Sequence, residues 1–305
     1  TDAPAELHFA HGIATSRGFK DARRKAAEER ARALRERDEY ASVASSFRIE
    51  HAGLTSLGGD EGEAFVDPRL RSAVKGGSAE ALRALAEPLL GAEGVYTLRV
   101  LTDEAVQLFT SEVARANAMG FNFTRPNSMN RYGLILHEIG LGESVEALAL
   151  RYIRPLARVL YPEWGGGDLD HVHAFQVEYD AGGDTSLSKH MDSSEVTLNL
   201  CLQTENLAGS TVFFEGVRRF GQGWGEPSRV EVVQKPGVAL LHLGQNMHGA
   251  SELAQGKRSN VIIWMKSRKS RQSSLERFLF ACPKAAAQLE NALSESRFDD
   301  DASEL

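Results

Sequence analysis

The sequence predicts an α+β fold in which a largely helical first part precedes a β-rich core. Residues 16–160 contain long stretches with the apolar spacing and the Ala, Arg, Glu and Leu content of helices. Six short runs rich in Val, Ile, Leu and Phe follow between residues 173 and 266, and turns with Gly, Pro or Asn separate them. A succession of this kind is typical of a sandwich, a barrel or a jelly roll.

Capping residues and helix breakers mark the predicted helices. Ser78 and Thr102 each precede an amphipathic stretch and are favoured N-cap residues, and Gly120 ends the second of these stretches. Pro155 should kink or split the last helix, because proline has no N–H to donate and its ring clashes with the preceding turn. The predicted helices cover residues 16–41, 78–90, 102–120 and 143–160.

Apolar runs bounded by turn residues predict the strands. The run "VYTLRVL" comes before the core, and the other six runs compose it. After the last run the chain becomes helical and then acidic. The predicted strands cover residues 95–101, 173–179, 195–203, 210–216, 229–234, 238–243 and 258–266.

Net charge, apolar run length and cysteine content limit the partners and the cellular compartment that we expect for this protein. The formal net charge is -7, which gives no electrostatic reason to expect nucleic acid as a partner. No run approaches the roughly 18 apolar residues that a membrane span needs, so we expect no membrane partner. Only Cys201 and Cys282 occur, so we expect no disulfide framework and favour the cytoplasm or another reducing compartment. The chain begins with Thr1 rather than Met, which leaves an upstream targeting segment open.

A histidine and an aspartate stand one residue apart in "KHMDSSEVTLNLCLQ". Residues i and i+2 of a strand face the same side, so His190 and Asp192 can present an imidazole nitrogen and a carboxylate oxygen to one point. A divalent metal needs a third protein ligand there. Two histidines and one carboxylate suit non-heme Fe(II), because they leave adjacent coordination positions open.

The third ligand should come from "VALLHLGQNMHGA", which contains His242 and His248. Arg258 follows His248 by ten residues, and a planar guanidinium is a suitable clamp for the far carboxylate of a dicarboxylate co-substrate. If the chain turns through "GASELAQGK" and returns antiparallel, Arg258 begins a strand that lines the same cavity. This favours His248 as the ligand and leaves His242 as a residue beside the site or in the core.

Four segments then carry a family resemblance: "RPNSMNRYGLILHEIG", "LDHVHAFQVEYDAGGD", "SEVTLNLCL" and "HGASELAQGKRSNVIIWMKS". They resemble the 2-oxoglutarate and Fe(II)-dependent dioxygenases, in the branch similar to the prolyl 4-hydroxylase catalytic domain. Within it they are similar to the "2-oxoglutarate and iron-dependent oxygenase domain-containing" group. The similarity extends from about residue 95 to residue 270 and is weak before it.

The resemblance implies a double-stranded β-helix, which is a distorted jelly roll, with helices that support it. We accordingly expect a helical N-terminal region, a dioxygenase domain that contains the β-helix core, and a helical, acidic tail. These parts cover residues 1–93, 94–270 with the core at 172–267, and 271–305.

The resemblance also implies roles for individual residues. His190, Asp192 and His248 match the iron ligands, and Arg258 matches the residue that pairs with the far carboxylate of 2-oxoglutarate. The co-substrate pocket would further include Tyr179, Thr197 and Asn199. Alternatively, Tyr179 is a core aromatic residue, and Thr197 and Asn199 only satisfy buried backbone groups. The sequence departs from its relatives at "AGSTVFF", where they usually have paired glycines, so Ser210 could alter a turn there.

Two further segments could form a substrate mouth. One is a polar cluster before a strand, and the other is the long loop "GVRRFGQGWGEPS", which could close over a substrate. A loop hydrogen-bond network and a tolerated insertion are the respective alternatives. The candidate residues are Arg125, Asn127, Asn130, Arg131, Tyr132 and Trp224.

The implied activity is hydroxylation of an unactivated C–H bond, coupled to decarboxylation of 2-oxoglutarate to succinate and CO2. Fe(II) and 2-oxoglutarate would be the cofactor and co-substrate, O2 the oxidant and L-ascorbate an auxiliary. The resemblance favours a prolyl or lysyl side chain of a protein as substrate. A small-molecule hydroxylase or desaturase, and a non-catalytic β-helix binding module, are the alternatives.

Overall fold

Two antiparallel β-sheets dominate the chain. The computed structural model describes residues 47–121, 123–217 and 228–270. The predicted helix at residues 16–41, the tail at 271–305 and Trp224 lie outside the described residues. The strands are β1 Glu87–Pro88, β2 Val95–Arg99, β3 Gly133–Ile135, β4 His171–Asp180, β5 Leu187–His190, β6 Val196–Gly209, β7 Val212–Val217, β8 Val230–Val232, β9 Val238–Leu243, β10 Asn246–Ala250 and β11 Leu253–Lys266.

The order of the strands identifies the fold. The larger sheet has the order β1-β2-β9-β6-β11-β4-β3, and the smaller sheet has the order β5-β10-β7-β8. From β4 onwards the chain changes sheet at every connection except the one between β7 and β8. Alternation of this kind is the pattern of a double-stranded β-helix. The predicted fold class is therefore confirmed.

Helices precede the core and pack on the larger sheet. The Ser78 and Thr102 hydroxyls accept hydrogen bonds from the N–H groups of Ala81 and Ala105, as their N-cap positions predict. A π-helical turn before Pro155 divides the last predicted helix, because proline cannot donate the usual hydrogen bond. No helix in the described ranges is long and apolar enough to cross a bilayer. The helices are α1 Pro68–Gly76, α2 Ala79–Leu85, α3 Asp103–Ala118, α4 Gly142–Leu148 and α5 Arg154–Leu160, with the π-helical turn at Ala149–Ile153.

The two faces of the larger sheet differ in polarity. On β6, Leu198 and Leu200 belong to the hydrophobic core that also contains Phe109 of α3. The intervening Thr197 and Asn199 are equally buried but point to the opposite face, towards the smaller sheet. The helices therefore cover an apolar face, and a polar face borders the space between the sheets.

The division of the chain at residues 93 and 94 stays a prediction. Residues 40–269 form one compact unit. Within it, Leu54, Leu57 and Leu70 share a single hydrophobic core with Leu198 of the larger sheet.

Three local predictions were wrong. The helix predicted at residues 78–90 ends at Leu85, because Glu87 and Pro88 pair with β2 instead. Asp192 is not on a strand: β5 ends at His190, and Asp192 lies in the turn before β6, where its N–H donates to the carbonyl oxygen of Gly244 at 2.9 Å.

The return from His248 to Arg258 is also not a hairpin. β10 pairs with β5 and β7 in the smaller sheet, whereas β11 pairs with β4 and β6 in the larger one. Only Ser251 and Glu252 separate β10 from β11, so the chain crosses directly between the sheets. Arg258 consequently lies inside β11 and not at its beginning.

The close approach of three strands at Gly249 can be tested. An added Cβ would lie 2.5 Å from the Leu187 carbonyl oxygen of β5 and 2.6 Å from the Phe213 ring of β7. We expect Gly249→Ala to lower the free energy of unfolding by about 1–3 kcal/mol, because it overpacks this contact. Urea denaturation measures the change. Gly76→Ala is the control, since nothing lies within 4 Å of its added Cβ, and equal stability of both variants would contradict the packing.

Candidate functional site

A cavity opens between the two sheets and contains most of the residues that the sequence singled out. Both sheets and the loop before β3 contribute to its wall. The predicted residues that line the cavity are His190, Asp192, His248, Arg258, Tyr179, Thr197, Asn199, Asn127 and Asn130.

His190, Asp192 and His248 meet at one end of this cavity. The pairing of β5 with β10 places His190 directly opposite His248, and their ring centres are 4.4 Å apart. The Asp192 Oδ1 atom lies 3.4 Å from His190 Nε2, and its Oδ2 atom lies 3.6 Å from His248 Nε2. One ligand atom from each of the three side chains can be chosen so that all lie within 4.8 Å of one another.

The hydrogen bonds of both histidines fix which nitrogen faces this point. His190 Nδ1 lies 2.9 Å from the Ser188 carbonyl oxygen, and His248 Nδ1 lies 2.9 Å from the Asn246 carbonyl oxygen. A carbonyl can only accept, so each Nδ1 carries the hydrogen. In the neutral form each ring therefore presents its Nε2 lone pair to the other two groups, and in the protonated form Nε2 donates towards Asp192. Two lone pairs and a carboxylate that converge on one point fit a divalent cation between them, and this donor set suits Fe(II).

Asp192 is held as a carboxylate. Burial raises the pKa of Asp192. The electrostatic effect of the neighbouring His248 and the hydrogen bond with His190 lower it by more, so the pKa lies well below the usual range. The Thr197 hydroxyl donates to Asp192 Oδ2 at 2.6 Å. Burial lowers the pKa of His190, but the hydrogen bond and the charge of Asp192 outweigh burial and raise it.

His242 of β9 also lines the cavity, and its ring centre lies 4.6 Å from that of His248. It is fully buried, its Nδ1 donates to the Leu243 carbonyl oxygen at 2.9 Å, and its Nε2 is 3.9 Å from Asp192 Oδ2. Burial, reinforced by His248, lowers the pKa of His242 to about 3, so the ring is neutral. His242 is not part of the three-residue group that could hold a metal ion.

Arg258 lies elsewhere on the cavity wall, where only 1% of its surface is exposed. Its Nε donates to the Ser210 hydroxyl at 3.1 Å, and one terminal nitrogen donates to Gln234 Oε1 at 2.7 Å. The guanidinium carbon lies 4.6 Å from the centre of the Tyr179 ring. Burial lowers the pKa of Arg258, and no carboxylate in the described part of the chain pairs with its guanidinium.

Asn199 and Asn260 line the cavity beside Arg258, and both form hydrogen bonds with Gln234. Asn199 Oδ1 accepts a hydrogen bond from Asn260 at 2.5 Å and one from Gln234 at 3.2 Å. The sequence interpretation missed Gln234 and Asn260. The signal for Asn260 was present, because Arg258 and Asn260 occupy alternate positions of one predicted strand and so share one strand face.

The predicted substrate cluster divides in two. Asn127 and Asn130 line the cavity, whereas Arg131 and Tyr132 are exposed, as is Arg125. Asn127 Oδ1 accepts the N–H of Asn130 at 2.7 Å, and Asn130 Nδ2 donates to the Tyr179 hydroxyl at 3.3 Å.

Asp184, which the sequence interpretation also missed, fixes the loop before β3 through hydrogen bonds. Its Oδ2 atom accepts from the N–H groups of Arg131 at 2.7 Å and Tyr132 at 3.2 Å. These bonds form the loop hydrogen-bond network that was the alternative to a substrate mouth. Contact of any of these residues with a substrate stays a prediction.

The choice between the two histidines can be tested by metal binding. We expect His248→Ala to weaken Mn(II) binding by more than about 100-fold, since loss of an outer partner of a ligand alone costs about 10–100-fold. Anaerobic titration calorimetry measures the affinity. His242→Ala is the matched control and should keep a bound ion. Full metal occupancy in His248→Ala would instead identify His242 as the third ligand.

Comparisons with known proteins agree with this geometry. Residues 43–166 match the OGFOD2-like domain family model, so the match includes residues 43–93, which the motif similarity did not reach. The human "2-oxoglutarate and iron-dependent oxygenase domain-containing protein 2" is 37% identical over 180 residues, which are 59% of this chain and 51% of the human protein. The Arabidopsis thaliana "2-oxoglutarate and iron-dependent oxygenase domain-containing protein CP2" is 31% identical over 247 residues, 78% of this chain and 61% of the plant protein.

A more distant relative comes from Acanthamoeba polyphaga mimivirus. Its "Procollagen lysyl hydroxylase and glycosyltransferase" is 32% identical over 135 residues, which are 43% of this chain and 14% of the viral protein. The chain thus spans about half of the human relative and about three fifths of the plant one. Together with the His-Asp-His group, these matches show that residues 43–166 resemble an OGFOD2-like domain and that the chain is similar, over up to 78% of its length, to proteins named 2-oxoglutarate and iron-dependent oxygenases.

Proposed function

We propose that this protein hydroxylates an unactivated C–H bond and couples this reaction to the decarboxylation of 2-oxoglutarate to succinate and CO2. One observation carries the proposal: a single cavity contains both the His-Asp-His group and a buried arginine, Arg258, that pairs with no carboxylate among the described residues. The first feature suits iron, and the second suits the distal carboxylate of a keto-dicarboxylate.

The proposed roles follow from the donor sets. His190, Asp192 and His248 would hold Fe(II), and Arg258 would bind the distal carboxylate of 2-oxoglutarate. When bound, iron supplies the activation of O2 for oxidation of the C–H bond. We include L-ascorbate as an auxiliary reductant for the iron.

The protein's own contribution is orientation and the exclusion of water. Phe175, Val177 and Ile262 form an apolar part of the cavity wall between the polar groups. The Thr197 hydroxyl keeps Asp192 in one orientation. Tyr179 is buried beside Arg258, and burial raises the pKa of its hydroxyl, so the ring stays neutral and the arginine keeps its charge.

Arg258→Ala should weaken 2-oxoglutarate binding by roughly 3–5 kcal/mol, because a charge-assisted bidentate contact in a largely dry pocket is lost. Anaerobic titration of the metal-loaded protein measures this change, and metal affinity should be retained. Lys257→Ala is the neighbouring control, since the Lys257 ammonium is partly exposed and pairs with Glu178 at 2.7 Å. If Arg258→Ala keeps its affinity and Lys257→Ala loses it, the assignment is wrong.

We propose a lysyl or prolyl side chain of a protein as the substrate. The viral relative is named a procollagen lysyl hydroxylase and glycosyltransferase, which supports a side chain of this kind. The cavity also extends to the Asn127–Asn130 loop, so a side chain could enter beside it. Cys201 is a buried free thiol, which is compatible with the proposed reducing compartment.

Succinate formation under air tests this substrate class. Lysine- and proline-containing peptides should raise succinate production above the rate without substrate and should gain the mass of one oxygen atom. Asp192→Ala is the inactive control. Stimulation by small polar metabolites but by no peptide would replace the protein substrate with a small molecule. Absence of any 2-oxoglutarate consumption by the iron-loaded protein would favour the non-catalytic binding module.

A further inference from the structure

We propose that Ser210 and Gln234 position the Arg258 guanidinium without neutralising it, and that they thereby set the preference of the pocket for a dicarboxylate over a monocarboxylate co-substrate. This inference rests on the proposed function. It concerns residues outside the His-Asp-His group, and neither residue was a candidate site residue in the sequence.

Gln234 is the centre of a buried amide network. It lies between β8 and β9 and is 4% exposed. Its Oε1 atom accepts from Arg258 at 2.7 Å and from Asn260 at 2.6 Å, while its Nε2 donates to the backbone oxygen and to Oδ1 of Asn199, both at 3.2 Å. Every polar atom of the Gln234 side chain therefore has a partner, and its position is fixed.

Gln234 is a neutral partner of Arg258, so it does not compensate the positive charge of the guanidinium. A glutamate has the shape of glutamine and is the common partner of a buried arginine, but it would neutralise the guanidinium. The neutral amide accepts the same hydrogen bond and leaves the positive charge available. A buried cation without an acidic partner is costly, so the site favours an anion that supplies the missing charge.

Ser210 holds the other side of the guanidinium from a strained backbone. Its φ is +48°, and within the described ranges Asn206 is the only other residue besides glycine with a positive φ. This conformation is unfavourable for serine and natural for glycine. Ser210 is nevertheless buried, and its hydroxyl accepts from Arg258 Nε at 3.1 Å. The strain is tolerated where the hydroxyl has a specific partner, which indicates that the contact is used.

Together these contacts orient the guanidinium. They use two of its five N–H donors, and the Tyr179 ring supports its face at 4.6 Å. The remaining donors have no hydrogen-bond partner in the described part of the chain, which leaves them for a bidentate contact with a carboxylate. Loss of either neutral acceptor would let the guanidinium rotate, and an acidic acceptor would compete with the ligand.

The first test is Gln234→Glu. Binding of 2-oxoglutarate and of 2-oxopentanoate, which has the same keto acid end but no distal carboxylate, is measured by anaerobic titration of the metal-loaded protein. We expect 2-oxoglutarate to bind about 10–100-fold more weakly, because the new carboxylate pairs with Arg258. The affinity for 2-oxopentanoate should stay unchanged, so the variant loses the preference for the dicarboxylate.

The second test compares Ser210→Ala with Ser210→Gly. Both remove the hydroxyl, and both should weaken 2-oxoglutarate binding about tenfold while sparing 2-oxopentanoate. Only Ser210→Gly also relieves the backbone strain, so its melting temperature should rise above that of Ser210→Ala. A purely structural role for Ser210 predicts that the more stable glycine variant also binds 2-oxoglutarate more tightly than the alanine variant. Equal losses of affinity in two variants of different melting temperature therefore support positioning.

Failure of the inference and failure of the proposed function are distinguishable. If Arg258→Ala loses 2-oxoglutarate but Gln234→Glu and Ser210→Ala bind it normally, the positioning roles are wrong and the proposed function stands. Equal losses of both keto acids would also overturn positioning, because the whole pocket would be disturbed. If the unmodified protein binds 2-oxoglutarate no better than 2-oxopentanoate, the proposed function itself is wrong.

Discussion

The pairing of β5 with β10 is the constraint on which the candidate site depends. It places His190 opposite His248 in register, and each imidazole is then fixed by a bond from Nδ1 to the carbonyl oxygen two residues earlier in its own strand. Asp192 completes the group from a turn that is anchored to Gly244 and to Thr197. A shift of one residue in this register would turn one histidine to the other face of the sheet and separate the donors.

The cavity carries polar groups that would be expensive to bury alone. Gln234 forms hydrogen bonds with Arg258, Asn260 and Asn199, while the opposite face of the larger sheet is apolar and packs under the helices. Among the described residues, no carboxylate compensates the positive charge of Arg258. A bound dicarboxylate would supply the opposite charge, so ligand binding should stabilise the folded protein as well as begin the reaction.

Local sequence signals predicted the elements that depend on neighbouring residues. Ser78 and Thr102 cap helices as expected, and Pro155 divides a helix, because these effects operate within one turn. The path of the chain around Asp192 was not predictable in this way. Its turn is held by a backbone bond to Gly244, which is distant in sequence, and by the placement of β5 and β6 in different sheets.

The sequence by itself determined the class of the core strands, the spacing of His190 and Asp192, and the residue types that suit iron and an anionic co-substrate. Only the tertiary structure decided which histidine joins that pair and what surrounds Arg258. His248 lies in the group because β10 pairs with β5, whereas His242 lies on β9 in the other sheet. Gln234 reaches Arg258 across a long stretch of chain. Such contacts depend on which strands become neighbours, and sheet pairing is a property of the whole fold rather than of any short segment.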